Sequence, residues 1–237
     1  FKGYLDSVKL FFEEPIGKLA TKLCPGESLF GPSEFMSLLH SIQLKSSNAK
    51  VSLTAPLQLH NCIDSGVIRR SDVFTLYRFE NYLSELNMTV KEIDMFLEYA
   101  VSRWFNLYDK DSTLLKLNNE GKLSAPYYNF SSAAGIKYVV DLTQKQGKRI
   151  NIISVGGCKN FNFSDTIRVV MSSYRAVGGG GHMPQGVGIR NSMLGERDLW
   201  VSNFPMKHYI VERISSMESL EFDLINNWEI LPTDWRN

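Results

Sequence analysis

The stretch Ile136-Lys137-Tyr138-Val139-Val140-Asp141-Leu142, followed by Gln146-Gly147-Lys148 and then Arg149 to Val155, decides how this chain is read. β-Branched and aromatic residues fill two short runs, and a glycine-containing turn separates them, which is the pattern of two strands joined by a tight connection. Gly156-Gly157 turns the chain again, and Ile167-Arg168-Val169-Val170-Met171 reads as a third strand. The three are expected to be antiparallel neighbours.

Working outward, Val51 to Ala55 and Leu83 to Met88 read as further strands. Ser33 can cap a helix running to about Leu44, with Phe35, Leu38, Leu39 and Ile42 on one face. Thr89-Val90-Lys91-Glu92 has the spacing of a capping box, and Ile93, Phe96, Leu97, Ala100, Val101 and Trp104 continue it as an amphipathic helix. Ser71 and Asp72 open a short helical turn toward Tyr77, and a last helix is expected from Tyr209 to Ser215, ahead of a closing segment around Trp228. Tyr4 to Leu23 reads as a helix or extended lead-in broken by Pro15 and Gly17. Leu23 to Pro32, Asn61 to Gly66 and the polar stretch Asp109 to Gly121 read as loops. Helices and strands mix with no repeat and no linker, so the fold class is α/β, of the α+β type, with mixed sheets of mostly antiparallel strands.

The 237 residues are 43 % apolar and 22 % charged, with a net charge of +1. That balance excludes disorder and gives no pull toward a nucleic-acid polymer. No apolar run approaches the roughly 20 residues of a membrane-spanning helix. Phe1-Lys2-Gly3-Tyr4 has neither an initiator Met nor a signal peptide, and the chain is expected to be a piece of something longer. Cys24, Cys62 and Cys158 show no zinc spacing and no disulfide framework, and are read as buried or incidental thiols. The four histidines, His40, His60, His182 and His208, stand in no Asp-X-His, Gly-Asn-His or His-X-His string, so neither a metal site nor a catalytic residue is assigned to this chain. His182 is the best functional candidate among them, because it follows a glycine run.

Three segments combine rings, amides and glycines: Leu76-Tyr77-Arg78-Phe79-Glu80-Asn81, Tyr127-Tyr128-Asn129-Phe130, and Tyr174-Arg175-Ala176-Val177-Gly178-Gly179-Gly180-Gly181-His182. Two aromatic rings can sandwich a flat ligand, an amide can donate and accept at its edge, and glycines let backbone approach closely. A loop of this kind after a strand end suits the mouth of a small planar-ligand site, with Gly178, Gly179 and Gly180 lining it.

The ordered set of these strings resembles the 5'-nucleotidase C-terminal domain family. It includes Ala49-Lys50-Val51-Ser52-Leu53-Thr54-Ala55-Pro56, Ile63-Asp64-Ser65-Gly66-Val67-Ile68, Asp72 to Asn81, Tyr128-Asn129-Phe130, Ala134 to Leu142, Gly147-Lys148-Arg149-Ile150 and Tyr174-Arg175-Ala176 with its glycines. The likeness runs from about Ile16 to Trp228 and leans toward the 2',3'-cyclic-nucleotide phosphodiesterase branch. It implies a layered α/β/β/α arrangement spanning 1–237, in which 1–32 leads in from an N-terminal metallophosphoesterase domain. It also implies a base sandwiched by Phe79 and Tyr174 with Asn81 at its edge, and Tyr128 joins the substrate-binding set. His60 stands where the family places an Arg toward phosphate or ribose, and Gly180 where it has a ribose-binding Asp. The ligand is then a nucleoside or nucleotide. This chain carries no cofactor, the divalent metal pair belongs to the N-terminal domain, and the isolated chain is inactive. A periplasmic, cell-surface or secreted location is expected. The rival expectation is a stand-alone, non-catalytic nucleoside-binding protein.

Overall fold

In the computed structural model, which describes residues 2–217 and 223–236, the elements in chain order begin with α1 (Lys2–Glu13), β1 (Pro15–Leu19), α2 (Glu34–Lys45), β2 (Val51–Thr54), β3 (Gly66–Arg69) and α3 (Arg70–Leu76). Then come β4 (Tyr82–Thr89), α4 (Val90–Trp104), β5 (Ser132–Ala134), β6 (Ile136–Asp141), β7 (Ile150–Val155) and β8 (Thr166–Ser172). The chain ends with α5 (Ser173–Ala176), β9 (Asp198–Pro205), α6 (Met206–Ser215) and β10 (Trp228–Leu231). Phe1, which the expected lead-in includes, lies outside the described residues.

The strands form a five-stranded sheet in the order β5-β2-β8-β4-β9, a three-stranded sheet β10-β6-β7, and the pair β1-β3. Among the described strands only β2–β8 and β6–β10 are parallel. The fold is therefore mixed α/β with mostly antiparallel strands. The expected pairing of β6 with β7 holds, Ile136 facing Val155 and Val140 facing Ile150. The third strand does not join them. β8 sits in the middle of the other sheet, antiparallel to β4 with Leu83 opposite Ser172. Burial explains the difference. β6 alternates buried and more exposed residues, whereas Val169, Val170 and Met171 are all fully buried. A continuous apolar run belongs to a strand covered on both faces.

Alternation along these strands feeds two cores. Leu83 and Val170 point to one side, where they meet Phe35, Leu39 and Ile42 of α2, Val73 and Leu76 of α3, and Met206 and Ile210 of α6. Leu86, Met88, Val169 and Met171 point to the other, where they meet Phe96, Leu97 and Trp104 of α4 and Tyr138, Val140, Ile152 and Ile230 of the three-stranded sheet. Both helix starts expected from sequence form. Ser33 Oγ accepts from the Met36 amide at 3.2 Å. The Thr89–Glu92 box closes in both directions, at 3.1 and 2.8 Å. Glu98, on the buried side of α4, accepts the Gly147 and Ile150 amides at 2.9 and 2.7 Å, which fastens the β6–β7 turn to the helix.

One expectation about the thiols is overturned. Cys24 and Cys62 form a disulfide, and Cys158 is free and exposed. Leu23 and Ile63 exchange main-chain hydrogen bonds at 2.9 Å in each direction, so the adjoining Cys24 and Cys62 are held together across 38 residues of chain. A lone bridge fixed by a tertiary strand contact leaves no spacing motif to read.

Candidate functional site

Sheet topology brings the nominated segments together. β2 and β8 run parallel, so their last residues lie at one end of the five-stranded sheet. β4 runs against β8, and its first residues meet β8's last, Leu83 opposite Ser172. β5 runs against β2, with Thr54 opposite Ser132. The chain leaving β8 (Tyr174), the chain entering β4 (Phe79 to Asn81) and the 3-10 turn Tyr127–Asn129 ahead of β5 therefore share one edge of the fold. It is the edge beyond the carboxyl ends of the parallel strands, where open α/β sheets place ligands.

A cleft of about 210 Å³ opens there, and its lining includes Thr54, Leu57, Tyr77, Phe79, Asn81, Tyr128, Tyr174 and Arg175. A cavity of about 150 Å³ already takes a benzene ring, so the space suits a single flat ring system. Phe79 and Tyr174 are 43 % and 46 % exposed, so both rings present open surface at the cleft. Phe79 meets Tyr128 edge to face, 5.9 Å between centroids. Asn81 commits its main-chain carbonyl to the Met206 amide at 2.8 Å. Four of the nominated residues thus line one cleft.

The others stand elsewhere. His60 packs edge-on against Tyr127 at 6.5 Å, outside the cleft lining. The glycine run does not line the cleft either; it lies behind the Tyr174 ring. A Cβ on Gly179 would fall 2.5 Å from that ring, and one on Gly180 would collide with the Arg175 guanidinium and the Asn129 amide. Gly178, Gly180 and Gly181 also hold positive φ, of 96°, 71° and 83°. The run is required by close packing of backbone on side chains. His182 is fully buried between Phe96 and Tyr99, at 4.6 and 5.1 Å, with Ser131 Oγ 3.5 Å from Nε2. Burial, then the Arg175 charge, holds its pKa well below the usual range. It is a neutral packing residue, which corrects the functional expectation placed on it.

Sequence reasoning assigned no role to Tyr77 or Arg175, although both stand inside the quoted strings. Tyr77 is 1 % exposed, and burial raises its phenol to about 12. Arg175 is 5 % exposed, and burial lowers it to about 10. The visible signal for Arg175 was a cation between a strand end and a glycine run. Among the described residues no group of three or more His, Cys, Asp or Glu converges as a metal-ligand set, and no helix is long and apolar enough to cross a membrane.

Comparison with known proteins agrees with this architecture. The chain aligns with a Staphylococcus aureus protein assigned as a 5'-nucleotidase, in complex with alpha-ketoglutarate, at a TM-score of 0.78 and 17 % identity, over 97 % of this chain and 43 % of that one. A 5'-nucleotidase precursor from Thermus thermophilus aligns at 0.72 and 19 % identity, over 98 % and 42 %. Among curated sequences, the trifunctional nucleotide phosphoesterase protein YfkN of Bacillus subtilis (strain 168) is 28 % identical over 193 residues, 74 % of this chain and 12 % of its own length. The chain therefore spans about an eighth of that relative and under half of each structure. The fold is that of the C-terminal portion of nucleotidase-type phosphoesterases. The family described as 5'-nucleotidase, C-terminal domain, matches residues 15–186, and the chain belongs to it.

Proposed function

We propose that this chain recognises the substrate for a nucleotide phosphoesterase, and that the cleft at the end of the five-stranded sheet holds a nucleobase between Phe79 and Tyr174 while Asn81 contacts its edge. The observation that carries the reading is the convergence of Phe79, Asn81, Tyr128 and Tyr174, spread over almost a hundred residues of sequence, on one cleft of ring-sized volume. Half-exposed aromatic walls suit a ligand with two π-faces, and each stacked base is worth about 1–3 kcal/mol. Tyr128 buttresses Phe79. His60 stands apart from the cleft and would meet only a distal part of a substrate.

The hydrolytic centre, with its divalent metal pair, would come from a metallophosphoesterase domain N-terminal to this one, with 1–32 as the lead-in and 1–237 as one substrate-binding unit. The Cys24–Cys62 bridge favours an oxidising setting such as the periplasm, the cell surface or the extracellular medium.

Isothermal titration of the isolated chain with nucleosides tests the reading. Nucleosides should bind, and Phe79→Ala or Tyr174→Ala should each weaken them by about fivefold or more. Absence of nucleoside and nucleotide binding, or rings that can be removed without loss, would sink it. Incubation with nucleoside monophosphates and 2',3'-cyclic nucleotides in Mn²⁺, Zn²⁺ or Co²⁺ should give no turnover. Metal-dependent activity that tracks the purified chain would instead place the catalytic centre here.

A further inference from the structure

The polar groups that line the cleft fall into two sets. One set is spent on the protein itself. The Arg175 guanidinium donates to Asn129 Oδ1 at 3.2 Å, to the Gly179 carbonyl at 2.8 Å and to the Tyr128 carbonyl at 2.9 Å, all neutral acceptors. Ser172 Oγ accepts the Arg175 amide at 3.3 Å. The other set is Thr54, Tyr77 and Asn81. Asn81 spends its main-chain carbonyl, not its side chain, on the Met206 amide. The Tyr77 phenol meets the Asn81 side-chain amide. Among the described residues the Thr54 hydroxyl bonds to nothing in the protein.

Burial separates the two hydroxyls from the outer walls. Phe79 and Tyr174 are nearly half exposed, whereas Tyr77 is 1 % exposed and Thr54 8 %. The lining beside them is apolar, because Leu53, Ala55 and Leu57 are all buried. Two hydroxyls therefore stand in an apolar floor, next to the Asn81 amide. The Tyr77 ring packs in the core with Leu76, Leu83 and Met206. A phenylalanine would fill that core equally well, and the hydroxyl adds hydrogen-bonding capacity at the cleft.

A flat ligand that enters between the outer rings takes water away from these hydroxyls. A buried polar group left unpaired costs about 1–3 kcal/mol. An inserted edge of bare C–H is therefore penalised, and one that can pair with a hydroxyl is favoured. Burial pushes the Tyr77 phenol up to about 12, so at neutral pH it is protonated. Like the Thr54 hydroxyl, it can then donate to a keto oxygen or accept from an amino group.

We propose that the Tyr77 and Thr54 hydroxyls are specificity-determining groups of the cleft, which hydrogen-bond the inward edge of the base and so select a ring that carries an amino or keto substituent there. This rests on the base-binding reading and adds to it the groups that read the ring from within.

The test titrates the intact chain with rings that differ at one substituent. Adenosine and inosine are compared with purine riboside, which lacks the 6-substituent. Cytidine and uridine are compared with pyrimidin-2-one riboside, which lacks the 4-substituent. In the ring class that binds, the better substituted member should bind about fivefold or more tightly than the bare ring. Tyr77→Phe should close most of that gap by weakening the substituted ligand and sparing the bare one, with melting temperature almost unchanged. The readout is the ratio within a set, because a purely structural role for Tyr77 would weaken both members together. Thr54 supplies an independent pair of variants. Thr54→Ser should keep the gap and Thr54→Val should narrow it, and this pair decides if Tyr77→Phe fails to fold. No gap in the wild type, or a gap that survives the loss of the hydroxyls, overturns the proposal and leaves the base site standing. No binding by any of these ligands overturns the base site itself.

Discussion

Tyr174 and His182 belong to one nine-residue string, yet the two ends of that string live in different environments. Tyr174 is nearly half exposed and forms a wall of the cleft, whereas His182 has no exposed surface and fills a gap between Phe96 and Tyr99. Between them the glycines pack against the back of the ring, the Arg175 guanidinium and the Tyr99 hydroxyl. Half of the string serves a surface and half serves a core. A motif that looks uniform as sequence therefore mixes positions where substitution should change binding with positions where it should change folding.

The largest effect should come from the core half. Gly180→Ala forces a Cβ into Arg175 and Asn129 at a backbone φ of 71°. Overpacking and strain each cost about 1–3 kcal/mol, so a loss of about 3–5 kcal/mol is expected in urea denaturation. A loss below about 1 kcal/mol would mean the loop can shift freely, and the contrast between the two halves would break.

The next effect is a pH dependence of the core. Burial lowers His40 to about 3, where its ring bonds Ser52 at 2.9 Å and Ser132 at 3.1 Å, and His182 is lowered as well. Both are neutral in the folded state, and the unfolded chain takes up their protons below its ordinary pKa of about 6.5. Their contribution is therefore fully present above that value and is lost as pH falls toward the folded pKa. Each histidine should remove about 1.4 kcal/mol of stability per pH unit below about 6. Denaturation midpoints at pH 7, 6 and 5 read the slope, and His40→Gln should flatten it. Stability that holds steady from pH 7 to pH 5 would contradict the buried neutral assignment.

Substitutions in the cleft wall, where Phe79 joins the surface half of the string, should do the reverse. Phe79→Ala and Tyr174→Ala should each cost about 1–3 kcal/mol in base binding, with melting temperature almost unchanged. Gly179→Ala lies on the boundary, because its Cβ would meet the Tyr174 ring itself. It should displace the ring and weaken binding more than it weakens folding, which would locate the border between the halves to within one residue. The smallest effect should be at Asn81. Asn81→Ala should change the ratio of affinities among the four bases by about fivefold, one hydrogen bond's worth, while stacking keeps the mean affinity. A uniform drop for all bases would deny it an edge-reading role.

Much of this was legible in the chain. The helix starts at Ser33 and Thr89 were readable because a cap is a local contact between residues three apart. The β6–β7 pair was readable because the Gly147 turn joins neighbours in sequence. The strands at Pro15–Leu19, Gly66–Arg69 and Asp198–Pro205 were missed, since each is short, irregular or largely exposed and none shows a strong period. The cleft was half legible: the rings and the amide that line it stand in the quoted strings, but nothing local tells a glycine at a cleft surface from one packed on a guanidinium.

The sequence by itself determined the class of fold, the capped helices, the aromatic and amide residues available to a ligand, and the family. Those follow from local periodicity, local capping and the order of short strings. The tertiary structure alone decided that β8 leaves its sequence neighbours for the centre of another sheet, because coverage of both its faces is a property of what packs around it. It alone joined Cys24 to Cys62, since that depends on where Leu23 meets Ile63. It also placed an unpaired Arg175 in the wall of the cleft, because whether a charge has a partner depends on all the chain that surrounds it.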